Sequence, residues 1–75
     1  MEPYLNLNGN SGVVAYEIGT DFIRVQFHDK PPYLYTYESI GRENVEEMKR
    51  RAIVGRGLAT FINQHREVHE GYVRE

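Results

Sequence analysis

The sequence predicts an α+β domain, a three-stranded antiparallel meander followed by two helices packed on one sheet face. Three observations predict it. Residues 22–28 alternate strictly, with Ile23, Val25 and Phe27 on one side and Arg24, Gln26 and His28 on the other. Residues 33–37 read Tyr33-Leu34-Tyr35-Thr36-Tyr37, a second period-two segment that places three tyrosines on one strand face. From about Arg42 the apolar spacing changes to that of a helix.

Taken in order, residues 1–11 carry Asn6, Asn8, Gly9, Asn10 and Ser11, which is turn chemistry and predicts an irregular start. Residues 12–18 are β-branched and aromatic and read as the first strand. Gly19-Thr20-Asp21 connects it to the alternating second strand, a half-buried antiparallel one. Asp29-Lys30-Pro31-Pro32 is a turn, and ladder pairing resumes after Pro32 because proline has no N–H to donate. The tyrosine strand completes a meander over residues 12–38, whose exposed face must be covered by the rest of the chain.

The helical region spans 42–70. Val45, Met48 and Ala52 fall at helical spacing. Glu43, Glu46 and Glu47 precede Lys49, Arg50 and Arg51, an order that suits the helix dipole. Glu46 and Glu47 stand four residues before Arg50 and Arg51, the favourable orientation for ion pairs. Gly55 and Gly57 end this helix, and either can take a left-handed cap. Leu58, Phe61, Ile62 and His65 form the stripe of a second helix, which Gly71 ends or follows.

At 75 residues the chain is one domain with a small core, for which net stability is on the order of 3–5 kcal/mol. It has no cysteine, so no disulfide or thiolate-bound metal staples it. Six tyrosines and three phenylalanines supply large burial areas instead. No apolar run approaches the roughly 20 residues that span a bilayer. Met1-Glu2-Pro3-Tyr4 lacks the basic flank and apolar centre of a secretory signal, so a cytoplasmic location is expected.

Charge is unevenly distributed. Residues 1–48 hold three basic and eight acidic side chains, whereas residues 49–66 hold five basic ones (Lys49, Arg50, Arg51, Arg56 and Arg66) and no acid. Residues 67–75 hold one arginine and three glutamates. The basic segment is either a binding surface or the ordinary polarity of a helix end.

His65 and His69, four apart, share a face if the helix continues that far. Arg66 stands where a metalloprotease helix needs glutamate, and His28 lies on a distant strand, so no metal or other cofactor is expected. Gly55-Arg56-Gly57 precedes a helix but lacks the third glycine of a dinucleotide fingerprint and the Gly-Lys-Ser/Thr of a P-loop, and reads as a helix–helix turn. The tyrosine face could stack bases if open. Leu34, Thr36 and Glu38 on the other side make a poor core stripe, so the tyrosines are expected to face inward. Ser11, Ser39 and Thr60 have no nucleophile setting, and no enzymatic activity is expected.

Ile23-x-Val25-x-Phe27, then Tyr35-x-Tyr37-x-x-Ile40, then Val45, Met48 and Ala52, and the Gly55/Gly57 turn before Phe61-Ile62-Asn63 together resemble the KTSC domain family. That family occurs at the carboxyl end of some lysyl-tRNA synthetases and as stand-alone bacterial or phage proteins. The resemblance covers residues 12–72. The chain departs from the family's usual pattern at Pro31-Pro32, Gly41 and Gly55-Arg56. The resemblance implies a compact α+β domain with no defined active site, and the synthetase association implies RNA as one conceivable partner.

The expectation is therefore a small non-catalytic binding module for a macromolecule. A protein partner or self-association is favoured by the acidic overall balance. The alternative is RNA binding through the basic segment 49–66.

Overall fold

The computed structural model describes residues 1–7, 9 and 11–74. Asn8, Asn10 and Glu75 lie outside the described residues, and with them part of the expected amino-terminal turn chemistry. The elements run β1 (Glu2–Pro3), β2 (Val13–Ile18), β3 (Phe22–Phe27), β4 (Tyr33–Thr36), α1 (Tyr37–Ile40), α2 (Arg42–Val54), α3 (Leu58–Gln64), α4 (Arg66–His69) and β5 (Val73–Arg74). The strands form one antiparallel sheet in sequence order, β1-β2-β3-β4-β5. The fold is α+β, with the predicted meander as its centre and helices packed against the sheet.

Register explains the core. Ile23 pairs with Ile18 on one side and Tyr35 on the other, and Val25 pairs with Tyr16 and Tyr33. These residues share the helix-covered face, and Ile23, Val25 and Tyr35 are buried there. A register shift between Val13 and Ala15 keeps Val13 in the core and leaves Val14 exposed. Against this face α2 contributes Val45, Met48 and Ala52, α3 contributes Leu58, Phe61 and Ile62, and α4 contributes Val68. On the opposite face Arg24 pairs across the strands with Glu17, and the Arg24 guanidinium lies over the Phe22 ring.

Four features differ from the sequence expectation. The amino-terminal segment is not irregular throughout. Glu2 and Pro3 pair with Tyr16 and Ala15, and Tyr4 is buried with its hydroxyl accepting a hydrogen bond from the Leu58 amide at 3.3 Å. The Leu7 amide donates to the Gly55 carbonyl at 2.7 Å, which fixes the segment over the end of α2.

Second, Tyr37 leaves the tyrosine strand and starts α1. Thr36 Oγ1 accepts from the Ser39 amide at 2.9 Å, and Ser39 Oγ accepts from the Thr36 amide at 3.0 Å. This reciprocal cap turns the chain into a helix one residue before the alternation ends. The inward-facing pair is thus Tyr33 and Tyr35, while the Tyr37 hydroxyl donates to Glu46 on α2 at 2.6 Å.

Third, the second predicted helix is two pieces. His65 has extended backbone angles (φ −120°, ψ 99°), so α3 stops there and α4 restarts in a new direction. Fourth, Val73 and Arg74 return to the sheet beside β4. Among the described residues, no helix is long and apolar enough to cross a membrane.

Candidate functional site

The basic segment is divided by the fold. Lys49 lies within α2, where its side chain is 12% exposed, reaches Glu46 at 2.8 Å and donates to the Thr20 carbonyl at 3.1 Å. Arg51 bonds Glu47 at 2.8 Å and the Gly57 carbonyl at 3.1 Å, and its guanidinium lies 5.0 Å from the Phe61 ring centre. Arg50 also pairs with Glu47, and Arg66 pairs with Glu70 at 3.1 Å on the separate helix α4. Arg56 is exposed and has no ion pair among the described residues.

The pairing differs in one detail from the four-residue spacing read in the sequence. Glu47 takes both Arg50 and Arg51, while Glu46 takes Lys49 and the Tyr37 hydroxyl instead of Arg50. Arg51 and then Arg50 hold the Glu47 carboxyl below the usual carboxylate range. Lys49 and then Tyr37 do the same for Glu46. Arg50, Arg51 and Arg56 gather with Val54 and Glu47 around a shallow depression, to which Lys49 and Arg66 do not contribute.

The Gly55-Arg56-Gly57 turn is structural. Gly55 caps α2 in the left-handed conformation, and Leu5 packs so closely that a Cβ at Gly55 would lie 2.6 Å from the Leu5 Cβ. The Leu58 amide that follows is already bonded to Tyr4. Because the helix breaks at His65, His65 and His69 do not share one helix face. His65 instead stacks on Phe61 with ring centres 4.2 Å apart, and its Nδ1 lies 2.9 Å from the Phe61 carbonyl. Among the described residues no three His, Cys, Asp or Glu side chains gather in a metal-holding group.

Beside the arginine depression lies an apolar end of the molecule. Ile53 and Val54 are the last α2 residues and fall off its buried face. Ile53 is 62% exposed and Leu5 64%, and Met1, Leu7 and Val54 are also more than half exposed. Met1, Ile18 and Ile53 line one groove with Tyr16, Glu2 and Glu17, while Leu5 and Leu7 cross the backbone at Gly55. The amino-terminal segment thus extends the apolar surface of the α2 end instead of covering it.

A cavity of about 340 Å³ opens between the sheet, α3 and the β5 approach. Its walls are aromatic. Tyr33 and Tyr72 stack with ring centres 4.1 Å apart, Phe27 tilts against Tyr33 at 5.3 Å, and Tyr35 meets the edge of Tyr72 at 6.4 Å. Lys30, Asn63 and His69 add polar groups. Tyr35 is 1% exposed, and its hydroxyl makes no hydrogen bond to the described residues. No described side-chain nitrogen or oxygen is both fully enclosed and unpartnered, so the Tyr35 hydroxyl opens onto the cavity it lines. Burial holds this phenol well above the ordinary tyrosine range, and the neighbouring Tyr33 and Tyr72 phenols push the same way.

Sequence reasoning singled out neither the apolar end nor the cavity. Ile53 and Val54 carried a readable signal, since two β-branched residues stand off the Val45-Met48-Ala52 stripe. The cavity had no comparable signal, because its lining is drawn from segments scattered between residues 12 and 72.

No family model matches the chain, and neither a curated protein nor a solved structure shows significant similarity to it.

Proposed function

We propose that this domain is a non-catalytic binding module that engages a protein through the apolar end built by α2 and the amino-terminal segment. The observation that carries this reading is the exposure of Leu5, Leu7, Ile53 and Val54 around one helix end. Covering apolar surface is worth about 25 cal/mol per Å², so a patch left open in so small a domain gains from a partner. Arg56, which has no ion pair among the described residues, flanks Val54, which favours a partner that presents an acidic residue beside an apolar segment.

The RNA alternative draws on the arginines of the basic segment and on the KTSC resemblance. Its support is weaker because Lys49, Arg50, Arg51 and Arg66 are each matched to a carboxylate, which reduces the charge available to phosphates.

Sedimentation velocity across a wide concentration range, paired with affinity capture by the immobilised domain, tests the proposal. The wild type should self-associate or retain a defined protein, and Ile53→Glu with Val54→Glu should abolish either without unfolding the domain. A strict monomer that captures nothing, or capture unchanged in the double variant, overturns it. Binding to single-stranded RNA that falls steeply with salt and is lost in Arg56→Glu favours the alternative instead.

A further inference from the structure

The aromatic cavity lies apart from the α2 end and carries a separate inference. Its Tyr35 hydroxyl opens onto a concave site from a residue whose body is almost wholly buried, and it has no acceptor among the described residues. The rest of the lining defines what the partner is. Among the described residues no aspartate or glutamate lines the cavity, and Lys30 supplies a cation there. Asn63 and His69 add hydrogen-bonding groups, while Phe27, Tyr33 and Tyr72 make a ring-lined wall. A concave, largely apolar pocket with a few convergent polar groups is the usual form of a small-ligand site.

We propose that this cavity binds a carboxylate carried on an apolar ring, with the Tyr35 hydroxyl donating to the carboxylate and Lys30 supplying the countercharge. An anionic acceptor makes the stronger hydrogen bond to a phenol in such a setting. The raised ionisation point of Tyr35 keeps it protonated, and hence a donor, throughout the neutral range. The volume of about 340 Å³ accepts one ring with a short acid-bearing arm. The same chemistry comes from a free aromatic acid or from the carboxyl terminus of a peptide ending in phenylalanine.

The two sources are separated by titrating the ¹⁵N-labelled domain with phenylacetate and, in a second arm, with the peptide Gly-Gly-Phe, using phenylacetamide and amidated Gly-Gly-Phe as uncharged controls. The proposal expects saturable shifts around Tyr33, Tyr35 and Tyr72 with at least one of the two acids. Saturation by phenylacetate alone assigns the site to a free acid, and saturation by the peptide alone assigns it to a chain terminus. Tyr35→Phe, which keeps the ring, should weaken binding about tenfold. Lys30→Glu, at an exposed turn, should weaken it by a similar factor. No saturation by either acid below about 10 mM overturns the proposal. So does equal binding of the uncharged controls, or an unchanged Kd in Tyr35→Phe.

Discussion

Tyr35 concentrates the chemistry of this molecule in one side chain. Its ring packs between Ile23 and the helices, as the poor Leu34-Thr36-Glu38 stripe led one to expect, whereas its hydroxyl meets a cavity that the stripe did not announce. The raised ionisation of that hydroxyl has a stability consequence with a definite sign. The folded chain keeps the proton above pH 10.0, the ordinary tyrosine value, while the unfolded chain releases it. The stabilising contribution is therefore complete below that pH and is lost as pH rises above it, by up to about 1.4 kcal/mol per pH unit. Urea midpoints measured from pH 9 to 11 should fall more steeply for the wild type than for Tyr35→Phe. Part of the slope will persist in the variant, because the hydrogen bond to Glu46 raises Tyr37 as well. Equal slopes in the two proteins would contradict this account.

Elements with a clear period were legible in the sequence, and those without one were not. Ile23, Val25 and Phe27 announce β3, and Val45, Met48 and Ala52 announce α2, because each repeats the geometry of its backbone several times over. Strands β1 and β5 have two residues each, too few to show any alternation, and they exist because neighbouring strands offer them a ladder. Tyr37 was misplaced because tyrosine alternation and the Thr36–Ser39 cap compete for one residue, and the cap satisfies two backbone donors at once. Gly71 shows how tightly the last elements are fitted. A Cβ there would stand 2.5 Å from both the Glu67 carbonyl oxygen and Ile40 Cγ2. Gly71→Ala should destabilise the domain by about 1–3 kcal/mol, as read by thermal or urea unfolding. An unchanged midpoint would mean that α4 and β5 dock less closely than described.

At the scale of the whole molecule, the polarised charge seen in the sequence is mostly resolved into local pairs. Clustering along a chain does not specify a patch in space when an acidic turn lies one helical turn away. The apolar end was only partly legible, since the contribution of Leu5 and Leu7 depends on where the amino-terminal segment is tied down. The tie at Tyr4 also orders events in time. Its hydrogen bond to Leu58 joins residues 54 apart, whereas the meander and α2 are built from near neighbours. Closing so long a loop early costs more entropy than one hydrogen bond returns, so this contact, unlike the local β1–β2 pairing, should form after the rate-limiting step of folding. Tyr4→Phe should then cost about 1 kcal/mol and appear almost wholly as faster unfolding, with the refolding arm of the chevron unmoved. In that role the Tyr4 contact acts as a latch that lengthens the lifetime of the folded domain without hastening its assembly.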